Sequence, residues 1–163
     1  MIGNHYSPRW PNKTVLYICV VVVLILSFSI RLFRIQHHNI WGDEAFSVAF
    51  SKQALNLVLS SGAETHPPLY HTLLHIWISL VGDSIFSLRY FSVLPSVTLV
   101  AIVFVIGRRL LGDQMGLLTA AMMGISSFAV YYSQEARMYS WVACFCAIAL
   151  YAHLRWKLTA SGK

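Results

Sequence analysis

Asp43 and Glu44 lie side by side just after Trp41-Gly42, and Glu64 follows within the same stretch, Trp41 to Tyr70. These are half of the six acidic residues in a chain that is otherwise mostly hydrocarbon. Carboxylates held beside apolar segments are costly to desolvate, which points to a task for them. One task is general base catalysis, removing the proton of an acceptor hydroxyl. The structural alternative makes Asp43 the N-cap of the following helix and Glu44 a favourable first-turn charge. Residue type alone leaves both readings open.

His66, His71 and His75 are candidate metal ligands, and His71 and His75 stand one helical turn apart, as in metal-binding helices. Interfacial histidines also serve as half-wet packing groups, so no metal ligand is assigned. Arg89 and Arg137 carry the planar guanidinium that suits phosphate. Their structural alternative is snorkelling or an ion pair, Arg137 with Glu135.

The elements that must position these groups follow from composition and hydropathy. Hydrophobic residues make up 57% of the chain and charged residues only 11%, which is about half the usual charged share of a soluble domain. Lipid is therefore the expected solvent. The formal charge of +6 comes largely from basic residues at the ends of apolar runs, as at membrane boundaries. No basic patch is interleaved with exposed aromatics, which excludes a nucleic-acid partner. Cys19, Cys144 and Cys146 fall inside apolar runs and read as small packing residues. Phosphate-loop, dinucleotide and zinc-finger spacings are absent.

The first span is expected over 14–33, about 20 residues and ~30 Å of helix. Its uncharged run, Thr14 to Ile30, is followed by Arg31 and Arg34, with no small-residue cleavage site, so it reads as a signal anchor. Further spans are expected over 88–107, 114–134 and 138–154. Placing Arg108-Arg109 and Arg155/Lys157 in the cytoplasm puts the loop 36–87 outside. Within that loop Phe46, Phe50, Ala54 and Leu57 recur at helical spacing, with Ser47, Ser51 and Lys52 largely opposite. This predicts one amphipathic helix over Glu44–Leu59, lying in the interface and ended by Ser60-Ser61-Gly62. Pro68 suits the first turn of a second helix, Leu69 to Val81, too short to cross and stopped by Gly82. Gly116, Ala120 and Gly124 form a small-residue stripe read as ordinary bundle packing. The expected fold class is all-α integral membrane, with about four transmembrane helices and two juxtamembrane helices in the first extracytoplasmic loop.

The series Trp41-x-Asp43-Glu44-Ala45, His66-Pro67-Pro68-Leu69, Arg89-x-x-Ser92 and Tyr132-Ser133-x-Glu135-Ala136-Arg137-x-Tyr139 resembles the N-terminal part of polyprenyl-phosphate-sugar-dependent GT-C glycosyltransferases. These include the protein O-mannosyltransferases and the bacterial aminoarabinose transferases. The likeness in order and spacing runs from Arg31 to Lys157. It implies a sugar donor on a polyprenyl phosphate, an inverting transfer at the outer face of the cell (inner) membrane, and an acceptor of unspecified class. It makes Asp43 the catalytic acid/base with Glu44 beside it, and His66, Arg89, Glu135, Arg137 and Tyr139 substrate-binding. It does not decide metal dependence, so a divalent metal cofactor stays open. Family members are several times longer, and the chain is expected to be an N-terminal fragment, inactive alone. The rival expectation is a non-catalytic membrane protein that binds isoprenoid lipid or pairs with another subunit. A small transporter fits less well, because the ionisable residues cluster in loops.

Overall fold

The computed structural model describes residues 12–60 and 68–160. His66, Glu64 and the Gly62 stop lie outside the described residues. All regular elements among the described residues are helices: α1 Lys13–Leu32, α2 Gly42–Ser51, α3 Leu55–Ser60, α4 Leu69–Val81, α5 Ile85–Leu111, α6 Asp113–Ile125, α7 Ser127–Ser133 and α8 Tyr139–Ala160. Helices α1 and α5 are long and apolar enough to cross a membrane, and α6 with α7 makes a third span when the bent pair is counted as one.

Helix α5 is the axis of the molecule and packs against α1, α4, α6, α7 and α8. Its 27 residues begin at Ile85, behind the cap Ser84 whose hydroxyl accepts from Ser87 N at 3.2 Å, and carry Arg108 and Arg109 in the last turn. It therefore starts before the expected 88–107. Gly112, at φ 94°, turns the chain into α6. The two helices then approach so closely that a Cβ on Gly116 would stand 2.7 Å from Arg108 N. Gly116, Ala120 and Gly124 are all buried, as the packing reading of that stripe requires.

Three expectations are corrected. First, the run 114–134 is not one straight helix. It breaks at Ser126 with a bend of 55° between α6 and α7. The Ser126 hydroxyl accepts from Ala129 N at 3.4 Å and so starts α7. The carbonyls left at the end of α6 find a partner in Arg31: its Nη1 donates to Gly124 O at 2.9 Å and its Nη2 to Met123 O at 3.4 Å. A broken helix needs such donors, because freed carbonyls away from water are costly.

Second, Arg31 is not a boundary residue. It is fully buried, with further bonds to Ser96 Oγ at 2.8 Å and Ser27 Oγ at 2.5 Å. It therefore carries no weight as a flanking charge.

Third, the helix expected over Glu44–Leu59 is interrupted at Lys52–Ala54, and its faces hold only in part, with Phe50 buried and Lys52 exposed as expected. Ser47 and Ser51 are buried, while Phe46 and Leu57 are exposed. The serines point inward because polar groups await them: Ser51 Oγ meets His71 Nδ1 at 3.1 Å, and Ser47 Oγ accepts from Arg137 Nη1 at 3.0 Å. Helix α4 forms as expected, with Gly82 at φ 90° closing it. Beneath these short helices Val48, Tyr70, Leu74, Leu88, Phe91 and Ala136 make one apolar core.

Candidate functional site

Helix α2 begins at Gly42 behind Trp41, whose indole makes no capping bond. Asp43 is thus inside the first turn and is not the N-cap. Its neighbour Glu44 points the other way, into the protein, and is wholly buried. Glu44 Oε1 accepts from Arg89 Nε at 3.0 Å and from Ala136 N at 2.7 Å, and Oε2 accepts from Arg89 Nη2 at 2.8 Å. This bidentate pair joins α2 to α5, and the Ala136 amide ties both to the link between α7 and α8.

Arg89 has no donor left over. Its Nη1 donates to Ile35 O at 2.8 Å and His38 O at 3.0 Å, and its Nη2 also donates to Asn39 O at 3.3 Å. A guanidinium has five N–H groups. With the two bonds to Glu44, all five are engaged. The residue expected to bind phosphate is instead bound to the protein.

Asp43 stands on the open side, with its side chain 55% exposed. Arg137 faces it: Nη2 lies 3.5 Å from Asp43 Oδ2, and Nη1 donates to Asp43 O at 3.1 Å. The Arg137 guanidinium also lies 5.8 Å from the centre of the Tyr139 ring, within cation–π range. Arg137 Nε is buried with no partner. The expected Arg137–Glu135 pair is thus replaced by an Arg137–Asp43 pair. Glu135 itself is buried, and its carboxyl meets the Tyr131 hydroxyl. Burial pushes its pKa above the ordinary 4.5, and the nearby Glu44 charge pushes the same way.

The weak metal candidates lie on α4. His71 meets Ser51 Oγ, and His75 Nδ1 meets Ser51 O at 2.8 Å. No group of three or more potential ligands forms among the described residues.

Two clefts flank the α7–α8 link. A polar one of about 470 Å³ has Trp41, Tyr131 and Glu135 in its walls. An apolar one of about 570 Å³ lies among Leu99, Phe128, Tyr132, Tyr139 and Val142. Sequence reasoning missed Gln134, whose Nε2 donates to Arg31 O at 3.0 Å and Phe33 O at 2.9 Å and anchors the link to the end of α1. It also missed the task of Arg31, for which the signal was present: an arginine within an apolar run is a functional or structural residue by default.

A family model described as dolichyl-phosphate-mannose-protein mannosyltransferase matches residues 65–161, more than half of the chain. The matched segment contains Arg89, Glu135, Arg137 and Tyr139, while Asp43 and Glu44 precede it. No curated protein and no solved structure matches the chain.

Proposed function

The chain belongs to the dolichyl-phosphate-mannose-protein mannosyltransferase family, and on that premise we propose that it transfers a sugar from a polyprenyl-phosphate donor to an acceptor hydroxyl at the extracytoplasmic face of the cell membrane. In this reading α8 crosses as a fourth span and α2–α4 lie in the outer loop. Asp43 takes the proton of the acceptor hydroxyl, and that oxygen attacks the anomeric carbon with inversion. The bond from that carbon to the phosphate oxygen breaks, and the polyprenyl phosphate leaves with the electron pair. Arg137 steadies the negative charge that grows on it. Glu44 and Arg89 act as the brace that holds Asp43 in place. Glu135, Tyr139 and His66 are substrate contacts, and the apolar cleft beside Tyr139 suits the polyprenyl chain.

The observation that carries this division of labour is the contrast between the two arginines. Arg89 has every N–H engaged within the protein, whereas Arg137 sits 3.5 Å from Asp43 with its Nε unpaired among the described residues. A ligand that takes the place of Asp43 opposite Nη2 leaves the Glu44–Arg89 brace intact.

The test compares donor binding and transfer for wild type, Asp43→Asn and Arg137→Gln, each in the full-length protein, in membranes holding equal amounts of each. Asp43→Asn should bind donor normally and transfer roughly 10²–10⁴-fold more slowly. Arg137→Gln should lose both donor affinity and rate. Near-normal transfer by Asp43→Asn would remove it as the base. Donor binding by wild type with no transfer at all would favour the non-catalytic lipid-binding reading.

A further inference from the structure

Trp141 in α8 and Tyr70 in α4 pack on the same ring, Phe91 of α5, at centroid distances of 4.8 and 6.0 Å. Each carries a polar atom that is buried with no hydrogen-bond partner among the described residues, Trp141 Nε1 and Tyr70 Oη. Ser92, beside Tyr70, turns its own hydroxyl to Arg137 O at 3.3 Å. Burial pushes the Tyr70 pKa up, so the phenol keeps its proton. An indole N–H can only donate. Buried donors left unmet are costly, and two of them here line one cavity.

That cavity, about 190 Å³ between α4 and α8, is completed by Leu69, Met138, Val142 and Phe145. It exceeds the ~150 Å³ that admits a benzene-sized group. Leu69, Val142 and Phe145 are exposed, so its mouth is hydrocarbon and the two donors are sheltered behind it. No charged side chain is in its walls among the described residues, so an ion entering would lose water without gaining a partner. It shares Met138 and Val142 with the larger apolar cleft beside Tyr139, whose walls contain neither Tyr70 nor Trp141. Its depth follows from α5, whose 27 residues make a helix of ~40 Å. Phe91 stands six positions after Ile85, about 9 Å along the axis. A bilayer of about 40–45 Å holds a hydrocarbon core of ~30 Å. Phe91 therefore lies where hydrocarbon gives way to headgroups, the level at which lipid ester carbonyls and the tryptophans and tyrosines of membrane proteins gather.

We propose that this cavity docks a glycerolipid of the surrounding bilayer, whose ester carbonyl accepts from Trp141 Nε1 and Tyr70 Oη. A carbonyl oxygen has two lone pairs, one for each donor, and carries no charge to desolvate. The acyl chain leaves over Leu69, Val142 and Phe145. The site needs no transfer reaction and holds for either orientation of the protein.

The test pairs a diacyl phosphatidylcholine with its dialkyl ether analogue, which keeps headgroup and chains but lacks the ester carbonyl. Delipidated full-length protein in detergent is titrated with each, and bound lipid is read by native mass spectrometry. The diacyl lipid should bind about tenfold more tightly, the worth of one or two hydrogen bonds. Trp141→Phe and Tyr70→Phe each remove one donor and keep a ring against Phe91. Each should narrow the preference to about threefold, and the double variant should abolish it with ether-lipid binding unchanged. Because each variant removes an unmet buried donor, its melting temperature without lipid should hold or rise. A fall would show that the donors already have partners within the protein, and would overturn the proposal. Equal affinity of wild type for the two lipids, or a preference that survives in the double variant, would do the same. Displacement of the diacyl lipid by an equal concentration of polyprenyl phosphate would also overturn it, by giving the cavity to the sugar donor's chain.

Discussion

Glu44 and Arg89, 45 positions apart, face each other through two hydrogen bonds of 3.0 and 2.8 Å, with side-chain exposures of 0% and 6%. Two buried charges at this distance offset their desolvation only when geometry and further hydrogen bonds are both good. Here both are, since the Ala136 amide completes the carboxylate and three loop carbonyls complete the guanidinium. Arg89→Lys keeps the charge but offers three donors in another geometry. It should destabilise the fold through lost hydrogen bonds while the charge pair survives. Glu44→Gln strands the buried guanidinium and should cost more, roughly 3–5 kcal/mol, and Glu44→Leu with Arg89→Leu should cost less than the sum of the single variants. Denaturation in detergent measures this, and an Arg89→Lys protein as stable as wild type would show that the clamp is not what holds α2 to α5.

Glu135 gives a pH dependence of opposite sign to most carboxylates. Its folded pKa lies above the ordinary 4.5 because burial disfavours the charged form. Between the unfolded and folded values the native state therefore holds more protons, and stability falls as pH rises. The contribution is fully present below the unfolded value and is lost as pH passes through the raised folded value. Glu135→Gln should flatten this part of the stability profile and match wild type at its low-pH end. An unchanged slope in the glutamine variant would place the titration elsewhere.

Arg31 sets the bend between α6 and α7 through its bonds to Met123 O and Gly124 O. Arg31→Met removes those donors while keeping an apolar stem. The carbonyls then seek intrahelical partners, so the bend should open and the segment should straighten. Spin labels at the exposed positions Leu118 and Tyr131 report the angle as a distance, which should lengthen or broaden. An identical distance distribution in the variant would show that Ser126 alone makes the bend.

Orientation can be read by impermeant thiol labelling after Cys19, Cys144 and Cys146 are replaced. His37→Cys, in the exposed link after α1, should react from outside, and Leu111→Cys, at the exposed end of α5, should be protected. The reverse pattern would turn the Asp43 site to the cytoplasm and remove the outer-face reaction.

Several features follow from the chain's own local order. The uncharged runs of α1 and α5 announce apolar spans because their hydrophobicity is contiguous. Pro68 and Gly82 bracket α4 because each restricts or frees the backbone where it stands. The residues of the candidate site were also visible, as charges whose presence beside lipid demands a reason. Other features depend on what a residue meets across the fold. The face that α2 buries was read correctly at Phe50 and wrongly at Ser47 and Ser51, because periodicity counts apolar residues, whereas the two serines are drawn inward by Arg137 and His71. The break at Ser126 could not be read from an unbroken apolar run, since it is sustained by Arg31, 93 positions from Gly124. The two arginines looked alike in sequence, and their roles divide only through their neighbours. Arg89 meets a buried carboxylate and three carbonyls, while Arg137 meets an exposed one and keeps an N–H unpaired. Local order sets hydropathy and backbone preference, whereas a charged group's availability depends on which distant groups have already taken its hydrogen bonds.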